Sequence, residues 1–221
     1  MPRLVTRSAG IRRRGKCGYH FAMTASPKGC ALTIRPGHPA EAAALSALVN
    51  SAYRGESSKA GWTTEADLLG GQRTDPEGLA AILHRRTDAN GVAGQTNATT
   101  DDQVILVHTD AAGLACCVHL QRLSDHRAYL GMLTVRPMGQ AQGLGRALLA
   151  AAEQWASREW GTRDMQMTVI AQRAELIAWY ERRGYARTGE IRPFPYDDAR
   201  FGLPKREDLY FEVLAKALPA A

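Results

Sequence analysis

The hydrophobic positions of the chain fall into two kinds of pattern, which predict an alternation of strands and helices. Runs of large apolar and β-branched residues favour strands, whereas apolar residues three and four positions apart favour amphipathic helices. In chain order the elements read β-α-α-β-β-β-α-β-α-β-β. The predicted strands cover residues 32–35, 104–108, 114–121, 129–135, 165–170 and 209–214, with one more opening at Tyr185, and the predicted helices cover 39–53, 76–86, 175–183 and a segment that begins near Gly143.

A strand, a glycine-containing turn and a helix follow one another between Tyr129 and Trp155. The strand ends before Pro137, because proline cannot donate a hydrogen bond to a sheet ladder. The helix carries an apolar stripe suited to packing on a sheet, formed by Leu144, Ala147, Leu148, Ala151 and Trp155. The turn at 140–145 has glycines where a ligand must approach the backbone closely, at a helix start whose free N–H groups favour anions. A pyrophosphate would fit there.

The turn reads Gln-Ala-Gln-Gly-Leu-Gly, which is neither of the two commonest nucleotide-binding loops. It matches the pattern Gln/Arg-x-x-Gly-x-Gly/Ala, and in this respect the chain resembles the GNAT superfamily, the Gcn5-related N-acetyltransferases. The resemblance extends over most of residues 31–216 and implies an α/β (α+β) fold. We therefore expect a mixed, mostly antiparallel central sheet flanked by helices, whose strands before and after the turn splay apart.

The resemblance also implies acetyl-CoA as the acyl donor, with its pyrophosphate on the turn and its pantetheine arm beside the preceding strand. Main-chain groups of Leu133 and Val135 would pair with that arm as an added strand does. Arg146 would contact phosphate, although it could equally be a solvated surface charge. The donor-binding residues implied are Leu133, Val135, Gln140, Ala141, Gly143, Leu144, Gly145 and Arg146.

A second motif, Trp-Tyr-Glu-Arg-Arg-Gly-Tyr at 179–185, resembles the part of the family signature that carries a catalytic hydroxyl. On that correspondence Tyr180 is the general acid that protonates the departing coenzyme A thiolate. A phenol suits this task because its reference pKa of about 10 keeps it protonated at neutral pH. The alternative is a packed helix aromatic with a hydroxyl that faces water.

Two positions depart from the family pattern. Arg173 stands where relatives often have Asn, and the strand at 129–135 contains no carboxylate to act as general base. A base must therefore come from elsewhere in the chain or be water. The candidates are His119, His126, Glu56, Glu65 and Asp67.

The segment 53–65 lies between the first two helices, where the family's acceptor-binding loop falls. Trp62 would form an apolar wall, while Glu56 and Glu65 would attract a cationic amine. Glu65 could instead be an early-helix charge, since Thr-Thr-Glu-Ala-Asp resembles a helix start. The Pro-rich and aromatic stretch 192–208 is expected to border the same site.

The net charge of +6 suggests a nucleic-acid ligand only until its distribution is considered. Residues 1–40 contain eight Lys or Arg and no Asp or Glu, and the remainder has a balance of −2. We therefore expect residues 1–30 to be a basic, disordered leader and 31–221 to be a single acyltransferase domain without a nucleic-acid partner. The leader is a dispensable extension, a targeting segment, an over-long start before Met23 or a functional basic tail.

Four cysteines at 17, 30, 116 and 117 show no zinc-ligand spacing, which favours a reduced cytoplasmic compartment and no metal. The chain contains no apolar stretch approaching about 20 residues, so no membrane partner is expected. The family often forms dimers, which leaves a homodimer possible.

These features predict an enzyme that moves an acetyl group from acetyl-CoA to a primary amine by direct attack in a ternary complex. The acceptor would be a small-molecule or peptide amine. The alternative is a non-catalytic module that binds or senses acyl-CoA.

Overall fold

The computed structural model describes residues 21–23, 32–87, 102–124 and 126–220. Its strands are β1 (Phe21–Met23), β2 (Leu32–Pro36), β3 (Leu69–Gly70), β4 (Gln103–Asp110), β5 (Gly113–Ser124), β6 (Arg127–Val135), β7 (Asp164–Ile170), β8 (Ala186–Pro193), β9 (Leu203–Pro204) and β10 (Tyr210–Ala217). Its helices are α1 (Ala42–Tyr53), α2 (Gly55–Ser58), α3 (Pro76–Thr87), α4 (Leu144–Trp160) and α5 (Ala174–Glu181). None of the described helices is long and apolar enough to span a bilayer.

The central sheet is mixed and mostly antiparallel, which confirms the predicted fold class. Its eight strands lie in the order β1-β2-β4-β5-β6-β7-β10-β8. Among these neighbours only β6 and β7 run parallel, since α4 connects them as a crossover.

Strands β6 and β7 splay apart along most of their length, as expected. They pair only where residues 127–129 face residues 164–166. Beyond that point the hydroxyls of Tyr129 and Thr168 still meet at 2.7 Å, but no ladder continues. The two strands therefore form the walls of a cleft that opens towards the carboxyl end of β6.

Helices cover both faces of the sheet. Helices α1 and α3 pack with Ile105, Val107 and Cys117 on one face. On the other face, α4 and α5 pack with the strand residues that alternate with these along β4 and β5, including Leu106 and Cys116. The two adjacent cysteines thus point to opposite faces, as the strand pattern predicts.

Helix α4 begins and ends at glycines in the left-handed conformation. Gly143 precedes the helix with φ 87°, and Gly161 follows it with φ 64°. Of the predicted stripe, Leu148 and Ala151 are buried and the other members are partly buried against the same core. Gly143 therefore holds the helix start at the open end of the cleft.

Four small elements fall in segments where the sequence pattern predicts no regular structure. Strand β1 lies in the stretch expected to be a disordered leader, and it pairs with β2. The rest of residues 1–30 lies outside the described residues. Helix α2 and the β3–β9 pair organise the segments that border the cleft. The loop predicted at 86–102 also lies almost entirely outside the described residues.

Candidate active site

A β-bulge in β6 marks the middle of the cleft. Cys117 faces Thr134 and His119 faces Gly131, so Val118 lies opposite two residues of β6. One of these two is Met132, whose φ is 52°, a left-handed value that is uncommon for a residue with a side chain.

The turn after β6 presents main-chain donors at the open end of the cleft. Ala141 and Gly143 both have positive φ, 63° and 87°. Such alternation turns successive N–H groups towards one side, where they form a concave site for an anion. The first N–H groups of α4 add to it, because they have no acceptor within the helix.

The side chain of Gln140 joins the turn to the segment before β3. Its Oε1 accepts a hydrogen bond from the Trp62 N–H at 3.0 Å, and its Nε2 donates to the Val135 carbonyl at 3.2 Å. The residue therefore lies at the predicted place, but its amide holds protein groups and is not free for phosphate.

The carbonyls of the predicted pantetheine-binding residues are also engaged by the protein. The Tyr53 hydroxyl donates to the Leu133 carbonyl at 3.0 Å, and Gln140 donates to that of Val135. The Arg136 N–H points to β5 and donates to the carbonyl of Ala115. Because successive N–H groups of a strand point to opposite sides, the N–H of Val135 points away from β5, towards the gap between β6 and β7. A bound chain can therefore use that N–H, whereas each of the two carbonyls already accepts one hydrogen bond and has one lone pair left to offer.

A groove of about 780 Å³ runs from this turn to the bulge; we call it the turn groove. Its described lining consists of Ala52, Tyr53, Trp62, Thr63, His108, Asp110, residues 133–135, residues 140–147, Arg173, Leu176, Trp179, Tyr180 and Arg183. The turn groove thus contains all eight residues predicted to bind the donor.

Arginines give the turn groove a positive charge. The Arg183 guanidinium lies 3.5 Å from the centre of the Trp179 ring. Burial, together with the charges of Arg182 and Arg146, lowers the pKa of Arg183 below its ordinary value. Cations whose charges act on one another in this way favour an anionic ligand, which would relieve their repulsion. Sequence reasoning missed Arg183, although it stands four residues after Trp179 and hence on the same face of the helix predicted at 175–183.

A second cavity of about 460 Å³ lies deeper in the cleft; we call it the inner cavity. Much of its wall is apolar and comes from the bulged strand, the last five residues of β7 and the segment after β8. Its described lining consists of Tyr53, Arg54, Glu65, Leu69, Arg73, Gln121, Leu123, residues 129–133, residues 166–170, Arg173, Leu176, Tyr180, residues 192–195, Phe201, Phe211 and Val213.

The turn groove and the inner cavity meet at a small set of shared residues. These residues are Tyr53, Leu133, Arg173, Leu176 and Tyr180. Ligands in the two spaces would therefore approach each other beside the Tyr180 side chain.

Tyr180 is buried, and its ring packs edge-on against that of Trp179 with centroids 5.0 Å apart. Burial and the neighbouring Tyr53 raise the pKa of its phenol above the ordinary value, so the group keeps its proton at neutral pH. Its hydroxyl forms no hydrogen bond with the described residues, which leaves the proton available to a ligand.

Glu65 is fully engaged by two arginines. Its carboxylate accepts hydrogen bonds from Arg54 and, at 2.7 Å, from Arg173, and all three side chains are at least nine-tenths buried. Burial alone would raise the pKa of Glu65, but the charges of Arg173, Arg73 and Arg54 outweigh it and hold the pKa below the ordinary value. Glu65 is therefore part of the inner cavity without being a free attractor for a cationic amine, and its helix-start alternative is also wrong, since residues 63–68 are not helical.

The other two predicted acceptor residues lie elsewhere. Glu56 pairs with Lys59 at 2.8 Å, its side chain is 88% exposed, and it lines neither cavity. Trp62 lines the turn groove, where its ring lies 6.4 Å from that of Trp179. The structure therefore places Trp62 beside the turn at 140–145 and leaves Glu56 outside both cavities.

None of the described candidates for a general base faces the inner cavity in a reactive form. His119 contacts Gln103 at 3.0 Å, and burial lowers its pKa to about 4, but it does not line the inner cavity. His126 is exposed and bonds to the Gly161 carbonyl, and Asp67 pairs with Lys59. A water-mediated proton path stays the simplest of the alternatives.

Comparison with known proteins identifies the family. The model of the acetyltransferase (GNAT) family matches residues 74–185, about half of the chain. The chain therefore belongs to this family and is an enzyme of the acetyl-CoA-dependent N-acetyltransferase type. No curated protein gave a significant match to the sequence.

Solved structures share the fold at low identity. The ribosomal-protein-S18-alanine N-acetyltransferase of Escherichia coli is 19% identical, with a TM-score of 0.57 over 86% of this chain and 96% of that one. A Salmonella typhimurium protein solved with its cofactor acetyl-CoA is 20% identical, with a TM-score of 0.58 over 86% and 95%. A chimera that contains the spermidine N-acetyltransferase of Vibrio cholerae is 14% identical, with a TM-score of 0.58 over 84% of this chain and 95% of that one.

Proposed function

We propose that this protein transfers the acetyl group of acetyl-CoA to a primary amine of a small molecule, with both substrates bound at once. The observation that carries the proposal is the junction of the turn groove and the inner cavity at Tyr180. Two substrates held in adjoining spaces react as one complex, and such positioning supplies much of the rate.

The turn groove suits acetyl-CoA. The main chain around Ala141 and Gly143 would bind the pyrophosphate, while Arg146 and Arg183 would balance its charge. The N–H of Val135 would pair with the pantetheine arm, which then ends beside Tyr180. Acetyl-CoA bound in this way supplies the acetyl group as a thioester.

Tyr180 would act as the general acid. The nitrogen of a neutral amine attacks the thioester carbonyl carbon, a C–N bond forms, and the C–S bond breaks. The Tyr180 hydroxyl gives its proton to the departing sulfur, and the proton lost by the nitrogen returns to the tyrosine through water. The products are an N-acetyl amide and coenzyme A with a free thiol.

The substitution Tyr180→Phe tests this role, because it keeps the ring and removes the proton. We expect kcat to fall about 100-fold or more, with the Kd for acetyl-CoA changed less than threefold. Tyr185→Phe is the matched control: its ring packs on that of Tyr180, but the residue lines neither cavity. Thiol release with a panel of primary amines measures turnover.

Equal turnover by Tyr180→Phe and the wild type would remove Tyr180 from the chemistry. If the wild type binds acetyl-CoA tightly but releases no thiol with any amine, the non-catalytic binding module becomes the better description. Failure of the folded wild type to bind acetyl-CoA would overturn the proposal as a whole.

A further inference from the structure

The inner cavity holds more positive charge than its own residues neutralise. Its described charged lining comprises Arg54, Arg73, Arg173, Arg192 and Glu65. Arg192 pairs with Glu190 at the exposed end, and the single carboxylate within the cavity is shared by Arg54 and Arg173. Arg73 therefore forms no ion pair of its own among the described residues, and the one carboxylate that its charge reaches, that of Glu65, is already bound by the other two arginines.

Arg73 is held in place although its guanidinium is unpaired. The side-chain Oδ1 of Asn50 accepts the N–H groups of Arg73 and Thr74 at 2.6 and 3.3 Å, and its Nδ2 donates to the Thr74 carbonyl at 2.9 Å. The half-buried guanidinium reaches over the Tyr53 ring, 5.6 Å from its centre. It forms no hydrogen bond or ion pair with the part of the chain that the structure describes.

The neighbouring arginines also have unused donors. The Nε atoms of Arg54 and Arg173 are buried and lack hydrogen-bond partners within the described residues. A buried N–H donor without a partner is costly, and a site of low polarity strengthens the attraction of a guanidinium to an anion. The cavity is therefore poorly suited to a polycationic ligand and well suited to one that carries a negative group.

We propose that the acceptor amine carries an acidic group, a carboxylate or phosphonate bound by Arg73, so that the enzyme acetylates compounds of the amino-acid type. This inference rests on the proposed function and names the acceptor class for the inner cavity. The planar guanidinium matches an oxyanion with two parallel hydrogen bonds. The acidic group is held beside Tyr53, and the amine points to the junction at Tyr180.

The rest of the inner cavity indicates the third substituent of the acceptor. Phe194 and Phe211 stack with centroids 5.6 Å apart, and Leu69 packs in the same apolar cluster. These residues line the inner cavity, whose volume of about 460 Å³ lies in the range of small-molecule sites. We therefore expect an apolar side chain of the acceptor, as in phenylalanine, to fill the part of the inner cavity that these residues line.

A matched panel tests the acidic group. The probes are L-phenylalanine, its aminophosphonate analogue, L-phenylalaninamide and phenethylamine, with spermidine as a polycation, each compared at equal concentrations of free amine. Thiol release gives kcat/KM for each probe. We expect the two acids to exceed the amide and phenethylamine by about 10- to 100-fold, and spermidine to be the poorest acceptor.

The variant Arg73→Met should remove this preference and leave the Kd for acetyl-CoA within twofold of the wild type, while Arg73→Lys restores part of it. Arg187→Met is the control, because Arg187 pairs with Glu181 and Glu212 outside both cavities. Titration of the coenzyme A complex with N-acetyl-L-phenylalanine and with its amide gives a second readout that needs no turnover.

The outcomes separate the two levels of the argument. Acetyl-CoA binding and amine turnover without preference for acids, or a preference that survives Arg73→Met, would overturn the acidic-acceptor inference and leave the proposed function standing. Binding of neither N-acetyl compound, with no turnover of the acids, would overturn it as well. Failure of the wild type to bind acetyl-CoA would instead overturn the proposed function, on which this inference rests.

Discussion

The turn groove and the inner cavity meet at Tyr180 but are built in different ways. Half of the residues that line the turn groove come from one stretch of the chain, residues 133–147, which includes the end of β6, the turn and the start of α4 and offers main-chain N–H groups. The inner cavity is assembled from side chains of many separate segments, with buried charges among them. The first space should therefore be sensitive to backbone conformation, and the second to changes of charge.

The largest effect is expected for the buried charges. Glu65→Gln leaves Arg54 and Arg173 without their carboxylate, and breaking a buried pair in this way costs about 3–5 kcal/mol. For a chain of this size we expect Tm to fall by about 10 °C in a thermal melt. Glu56→Gln changes an exposed residue and should leave Tm nearly unchanged. Equal melting of both variants would show that the inner cavity does not depend on its ion pairs.

The next effect is a pH dependence of stability that arises beside the bulge. Burial and the charge of Arg73 lower the pKa of His119 from 6.5 to about 4, so the unfolded chain binds this proton more readily than the folded one. The contribution of neutral His119 to the free energy of unfolding is fully present above pH 6.5 and is lost as the pH falls towards 4. At pH 5 the loss is about 2 kcal/mol.

The variant His119→Gln tests that pH dependence, because it keeps a polar group opposite Gln103 but cannot titrate. Urea unfolding at pH 7 and pH 5 should show a smaller loss of stability for the variant than for the wild type. A loss of the same size in both proteins would assign the acid sensitivity to other groups.

The turn groove should respond to backbone strain. Gly143→Val places a β-branched residue at φ 87°, which disfavours the turn conformation, and we expect acetyl-CoA to bind about 10- to 30-fold more weakly in a calorimetric titration. Gly113→Val is the control, since Gly113 has φ 102° but lies outside both cavities. A similar weakening by both variants would point to general destabilisation instead.

The smallest effect concerns charge in the turn groove. Arg183→Met removes a cation that lines the turn groove, and we expect the Kd for acetyl-CoA to rise about 5- to 10-fold, less at high salt. Arg182→Met removes the adjacent charge, which does not line the groove, and should change the Kd by less than twofold. Equal effects would indicate long-range attraction rather than contact.

Local patterns in the sequence predicted the elements that carry the turn groove. The stop at Pro137, the stripe along α4 and the glycine in the turn after α5 are properties of neighbouring residues, so strand, turn and helices were predicted within a few positions. Tyr180 stays a prediction as the catalytic residue, and the structure supports it by its place at the junction.

The acceptor side could not be predicted in the same way. Glu65 and Arg173 lie 108 positions apart in the chain, and no local pattern indicates that they form an ion pair. Glu56 and Glu65 look equivalent in the sequence. In the structure Glu56 is exposed to solvent and pairs with Lys59, whereas Glu65 is buried between two arginines. Long-range packing gives them different environments and therefore different chemistry.

The sequence by itself determined the order of strands and helices, because that order depends on periodicity. It also determined the glycine-containing turn and the family resemblance, which implied the fold class, because these depend on residues adjacent in the chain. Only the tertiary structure decided which charges face the inner cavity. Arg73 meets Tyr53 because the loop after β3 folds onto the end of α1, where Asn50 holds it. Such contacts depend on the three-dimensional path of the chain, so the proposed acceptor class follows from the fold.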